Sequence, residues 1–317
     1  MPKLTHFAKY AWFIVGYNIF VILWGAWVRI TGSGAGCGNH WPTCNGDVIH
    51  RPESLETFIE LFHRLTSSAS GILIIILVVW AFRAFAKKHP ARLWAVLSLV
   101  FVIIEGLLGA ALVRLELVGD NASGARAVMI ALHLVNTFIL LAVTALTAWF
   151  GSGTPDYSLT QQGILPWLLL IGLIGTCLIG SSGAITALGD TLFPSTSLLE
   201  GIQADLDPTA HFLIRLRVFH PLLAVGFGLY SAILASAYTF FRPNRATRLL
   251  SQLLIGVFVV QLIVGVFNVV LLAPGWIQLV HLFLADAFWI LLVLFSVAVL
   301  AAAPATFGAP VTQPAGD

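Results

Sequence analysis

Long apolar runs separated by polar breaks dominate the chain, and eight of the runs reach membrane length. A helix crosses hydrocarbon with about 20 predominantly apolar residues. By that measure the spans fall at roughly 10–28, 61–83, 93–113, 127–149, 164–187, 212–240, 249–272 and 277–301. Three connections are substantial: residues 29–60, rich in Gly and Cys; residues 114–126; and residues 188–211, with Pro194 and Pro208. The first run, Tyr10 to Val28, exceeds the roughly 7–15 residues of a signal-peptide core and is expected to be a retained helix. The pattern predicts an all-α polytopic membrane protein.

Composition sharpens that expectation. Of 317 residues, 59% are hydrophobic and 9% charged, and the mean hydropathy is +0.95. Soluble domains carry about 25% charged residues, so no separate soluble domain is expected. A net charge of +2 argues against nucleic acid or an acidic partner.

Orientation follows the Lys and Arg residues near span ends. With a cytoplasmic N-terminus, nine basic residues face inward: Lys3, Lys9, Arg83, Lys87, Lys88, Arg92, Arg242, Arg245 and Arg248. Seven face outward: Arg29, Arg51, Arg64, Arg114, Arg126, Arg215 and Arg217. All four lysines are inward and the outer loops are acid-rich, so both termini are expected in the cytoplasm of a cell-membrane protein. Cys37 and Cys44 share the first outer loop, where a close pair can form a disulfide, a metal clip or two free thiols. In an extracytoplasmic loop the disulfide is the preferred reading, with its role, staple or redox element, left open. Cys177, inside an apolar run, reads as a small buried hydrophobe.

Four histidines carry the chemistry. His63, His133, His220 and His281 lie in the outer parts of spans two, four, six and eight. The separations 220 − 63 = 157 and 281 − 133 = 148 are similar, which indicates two four-helix halves, 1–150 and 151–317, built as pseudo-symmetric bundles. Two imidazoles on neighbouring helices can take both axial positions of a haem iron. A mononuclear zinc or copper site would instead gather three or four ligands. Arg64, Arg126, Arg215 and Arg217 lie near these histidines, and guanidinium is shaped to clamp haem propionates. His211 rivals His220 as the ligand of span six. His40 and His50 lie in the first outer loop, where a solvated role is expected. Glu60 precedes His63 by three residues, which puts both on one helical face. Glu105 and Asp286 lie inside spans, where carboxylates either serve function or hydrogen-bond between helices.

The stretch Thr31-Gly32-Ser33-Gly34-Ala35-Gly36-Cys37-Gly38, with Trp41-Pro42-Thr43-Cys44-Asn45-Gly46 and Glu60-Leu61-Phe62-His63-Arg64, resembles the haem A synthase family. The resemblance runs over essentially the whole chain. It implies oxidation of the C8 methyl of haem O to the formyl group of haem A, for cytochrome oxidase. It implies a substrate-haem site at His63 and His133 and a haem b cofactor at His220 and His281. It makes Glu60 the family's essential glutamate and matches Cys37 and Cys44 to its outer-loop cysteines. Implied partners are haem O, haem O synthase, and a quinone or other electron donor or acceptor, in membrane lipid; a homo-oligomer stays open. The chain departs from the family in having no cysteine at 188–211 and Pro221 after His220. A rival reading is a non-catalytic di-haem membrane cytochrome b; a repeat-built transporter is a third.

Overall fold

The computed structural model describes residues 4–47, 51–160, 162–241 and 244–301. Lys3, His50 and Arg242, used above, lie outside the described residues. Among the described residues every regular element is helical, and eight helical segments are long and apolar enough to cross a membrane. The protein is a multi-pass membrane protein.

The first half holds α1 (His6–Ile30), α2 (Leu55–Ala84), α3 (Pro90–Arg114) and α4 (Gly124–Gly151). The second holds α5 (Leu165–Leu192), short α6 (Leu198–Leu206), one-turn α7 (Phe212–Arg215), α8 (Phe219–Phe241), α9 (Arg245–Val270) and α10 (Gly275–Ala301). Polar residues at the breaks set the helix starts. Thr5, Ser54, Ser123 and Asn244 each cap an N-terminus with a side-chain oxygen, satisfying a donor that the helix leaves unpaired. Arg29, Arg83 and Arg114 occupy last turns, where cations meet the negative end of the helix dipole.

Two predicted connections turn out partly helical. The segment at 188–211 is no simple loop: α5 continues to Leu192, and Leu198–Leu206 forms α6 with Leu198, Leu199, Ile202 and Leu206 exposed. Span six is broken, with a 3-10 turn over Leu216–Val218 between α7 and α8. Pro221 supplies the reason. A proline lacks the N–H that would bond the carbonyl four residues back, and its ring crowds that carbonyl. The chain meets this by tightening before α8, leaving Pro221 in a first turn where it is tolerated.

Packing is organised around the last helix of each half. α10 packs on α9, α4, α1 and α5, and α4 packs on α3, α1, α5 and α10. These two helices are the most enclosed of the eight spans, whereas α3 and α9 are the least, so in each set of four the last span is the most enclosed and the third the least. At the centre Phe138 of α4 stacks on Trp289 of α10 with ring centroids 5.2 Å apart. The Trp289 indole donates to the Phe138 carbonyl at 2.5 Å. Nearer the histidine end, Arg29 of α1 donates to the Ala187 carbonyl and Thr191 Oγ1 of α5 at 2.6 Å, and to Gln278 Oε1 of α10 at 2.8 Å. One guanidinium thus ties the first helix to two helices of the second half.

Candidate functional site

All four histidines sit near one end of the bundle. His63, His133, His220 and His281 lie 8, 9, 8 and 6 residues in from the starts of their spans (63 − 55, 133 − 124, 220 − 212, 281 − 275). At 1.5 Å per residue these are depths of roughly 9–14 Å, within one half of a hydrocarbon core about 30 Å thick.

Each half makes room for its first histidine with a glycine. A Cβ on Gly25 of α1 would stand 2.8 Å from His63 Cε1, and a Cβ on Gly183 of α5 would stand 2.8 Å from His220 Cε1. The separations match, 183 − 25 = 158 against 220 − 63 = 157. The imidazole therefore lies directly on the backbone of the neighbouring helix in both halves. In the second half His220 and His281 face each other with ring centroids 6.1 Å apart and planes at 81°. Two imidazoles bound to one metal through bonds of about 2.0 Å place their centroids about 6 Å apart, so the spacing fits a bis-imidazole iron. His220 Nδ1 lies 3.2 Å from both Ser182 Oγ and the Ile179 carbonyl, which occupies that nitrogen and leaves Nε2 to bind. His281 approaches Gln261 Nε2 with its own Nε2 at 3.3 Å. The Nδ1 atoms of His63, His133 and His281 are buried and lack an aligned hydrogen bond. Among the described residues no group of three or more His, Cys, Asp and Glu could hold a metal ion. The His220–His281 pair is a two-imidazole donor set, which suits haem axial ligation.

His211 does other work. It caps α7, accepting from the Leu213 N–H at 3.3 Å, and packs on Phe193 with centroids 4.8 Å apart. His220 is the histidine that meets His281.

Cys37 and Cys44 form a disulfide, and the loop it closes is pinned to α2. The backbone of Gly36 runs so close to α2 that a Cβ there would lie 2.6 Å from the Glu56 carbonyl, and Thr57 Oγ1 donates to the Gly36 carbonyl at 2.8 Å. Glu60 is 3% exposed. It accepts from the Cys37 N–H at 2.8 Å and from Arg64 Nε at 3.1 Å, with a further close contact from Arg64 Nη2. Arg64 Nη1 also donates to the His40 and Thr43 carbonyls at 2.6 Å. The predicted Glu60-x-x-His63-Arg64 face thus joins the cysteine loop to the histidine helix.

The other arginines divide. Arg126 is buried and donates to the Gly119 and Asn121 carbonyls at 2.6 and 2.8 Å, while its Nε has no partner. Arg217 pairs with Asp190 at 2.9 Å and Asp205 at 3.1 Å. Burial raises the Asp205 carboxyl above the ordinary carboxylate range, and Arg217 draws it back. Arg215 is exposed.

Three contacts escaped sequence reasoning. Arg29 counted there only as a charge, yet it latches the halves. Glu105 lies 3.4 Å from His133 Nδ1 and accepts from Asn136 Nδ2 at 2.5 Å and from Thr137 Oγ1. Gln261 of α9 meets His281. The only sequence signal for the last two is a polar residue within an apolar run. Asp286 is fully buried, and neither carboxylate oxygen has a hydrogen-bond partner.

The family model of the cytochrome oxidase assembly proteins, COX15-CtaA, matches residues 8–56 and 50–293. The chain is 48% identical over 299 residues to a Protoheme IX farnesyltransferase of Thermus thermophilus, a match covering 94% of this chain and 49% of that protein. It is 46% identical over 95 residues to the Heme A synthase of Geobacillus kaustophilus, 30% of each chain. It is 37% identical over 140 residues to the Heme A synthase of Halalkalibacterium halodurans, 44% of each chain. The chain spans about half the length of its Thermus relatives.

Proposed function

The chain belongs to the COX15-CtaA family of cytochrome oxidase assembly proteins, and from that premise we propose that it is a haem A synthase, oxidising the C8 methyl of haem O to a formyl group. The observation that carries this reading is the repeated histidine arrangement: a ring laid on a glycine in each half, and a facing pair 6.1 Å apart. Haem A Synthase relatives supply the reaction class.

In this reading residues 1–150 hold the substrate haem on His63 and His133. Residues 151–317 hold a haem b cofactor on His220 and His281. Haem b supplies one-electron chemistry when bound. Methyl becomes hydroxymethyl, then a gem-diol that loses water to give the aldehyde. With water as the oxygen donor, each hydroxylation (R–CH3 + H2O giving R–CH2OH, two protons and two electrons) releases two electrons, which a haem b held by His220 and His281 would pass to a quinone or another acceptor. Glu60 is held by Cys37 and Arg64 one turn from His63, placed to position a water or handle a proton beside the substrate, an acid–base task. Arg126 and Arg215 are the candidates with donors to spare for propionates. Both termini are cytoplasmic and both haems lie toward the extracytoplasmic face. The Thermus relative carries the name of a farnesyltransferase, the reaction class that makes haem O from protohaem, so a haem O synthase is the expected supplier and neighbour.

Extracting the pigments of the purified protein tests the proposal. Haem O or haem A beside protohaem is the expected result. Protohaem alone in both halves would identify a di-haem cytochrome b and overturn it.

A further inference from the structure

Glu105 and Gln261 occupy corresponding places. They are separated by 261 − 105 = 156 residues, as are Gly109 and Gly265 (265 − 109 = 156). Each projects from the least enclosed helix of its half, α3 or α9, toward the histidine of the most enclosed one, α4 or α10. The chemistry differs. Glu105 brings a carboxylate to within 3.4 Å of His133 Nδ1. Its oxygens are held by donors, Asn136 Nδ2 on one and Thr137 Oγ1 on the other, so it faces the ring as an acceptor fixed from two sides. Gln261 instead brings its amide nitrogen to 3.3 Å from His281 Nε2, the other ring nitrogen, and His281 Nδ1 has no hydrogen-bond partner among the described residues.

We propose that Glu105 sets the two haem sites apart: it is a positioning residue whose carboxylate stands beside His133 Nδ1 as the acceptor for that N–H and leaves Nε2 to the substrate-side iron, while no carboxylate stands beside His281 Nδ1 among the described residues and His281 is the weaker donor. This rests on the haem reading above. An acceptor on the far nitrogen fixes the tautomer and ring orientation and raises ligand basicity. A more basic ligand stabilises ferric over ferrous iron. The N-terminal haem therefore has the lower reduction potential, and electrons released at the substrate run toward the C-terminal haem.

The test uses the full-length, haem-loaded protein, with His63→Ala and His220→Ala variants to assign each haem signal. Glu105→Gln replaces the carboxylate by a neutral amide of the same shape. It is expected to raise the potential of the N-terminal haem, change its low-spin electron paramagnetic resonance signature, and speed its loss by roughly tenfold or more, with the C-terminal haem unmoved. Glu105→Ala, which removes the acceptor outright, is expected to shift the same haem in the same direction; it serves alone should Glu105→Gln fail to fold. Glu105→Asp should restore part of the N-terminal signature. Unchanged potential and signature in Glu105→Gln, or equal shifts of both haems, would overturn the role of Glu105. Wild-type protein that takes up no haem would sink the haem reading itself, a different result.

Discussion

Replacing Gly183 by alanine perturbs the paired-imidazole site with one methyl group. The new Cβ would stand 2.8 Å from His220 Cε1 and 3.2 Å from its Nδ1, where ordinary contact begins at 3.4 Å. The ring must retreat by about 0.6 Å (3.4 − 2.8). Metal–ligand distances tolerate about ±0.2 Å, so the displacement exceeds what ligation allows. The fold absorbs the change more easily. Overpacking costs about 1–3 kcal/mol, partly offset by the roughly 0.5–1 kcal/mol that alanine gains over glycine inside a helix. Gly183→Ala should therefore remain folded while its affinity for the C-terminal haem falls by about tenfold or more. Gly25→Ala, with the same 2.8 Å clash against His63 Cε1, should lose the N-terminal haem instead. Gly226→Ala, on α8 with nothing within 4 Å of its Cβ, is the control. The assay is haem-to-protein ratio and absorption spectrum after purification, beside the unfolding temperature in detergent. Full haem content in Gly183→Ala, or equal loss in Gly226→Ala, would refute the claim that the glycine is there to admit the ligand ring.

Glu60→Ala is expected to keep the C-terminal haem while haem A formation stops; pigment analysis showing continued haem A would remove Glu60 from the chemistry. Arg29→Leu strands acceptors on α5 and α10, at about 1–3 kcal/mol for each left unpaired, and should lower the unfolding temperature in detergent without touching a haem ligand. The double change Cys37→Ser, Cys44→Ser opens a small loop, costing about 2 kcal/mol in the chain-entropy account. Because Gly36, Thr57 and Arg64 still pin that loop to α2, the C-terminal haem content should hold while the melting point falls.

The fold was legible because its main constraint is one-dimensional. Apolar runs of membrane length can satisfy their backbone in lipid only as helices, so the eight spans follow from run lengths alone, and Tyr10–Val28 and the others emerge within α1 to α10 with small shifts at the ends. The error at 188–211 has a local cause. A short amphipathic helix such as Leu198–Leu206 carries too few apolar residues to register in a search for spans, and α5 runs on to Leu192 through Thr186 and Asp190.

Spacing along one helix was equally readable. Glu60, His63 and Arg64 share an element, so their common face follows from helical geometry. Which helices meet was not readable. In water, an apolar stripe marks the face turned to the core. In lipid, both the buried and the outward faces are apolar, so the runs of α3 and α10 look alike although one buries few of its residues and the other most of them. Glu105 against His133, Gln261 against His281, and Arg29 across to α5 and α10 each join residues on different helices, the last over 249 positions. The amino-acid order by itself determined the spans, the shared face of Glu60 and His63, and the matched histidine offsets, because those depend only on length and helical pitch. The tertiary structure decided which rings face each other and what stands behind each ring, because those depend on side-chain packing between helices that the lipid-like composition leaves unmarked.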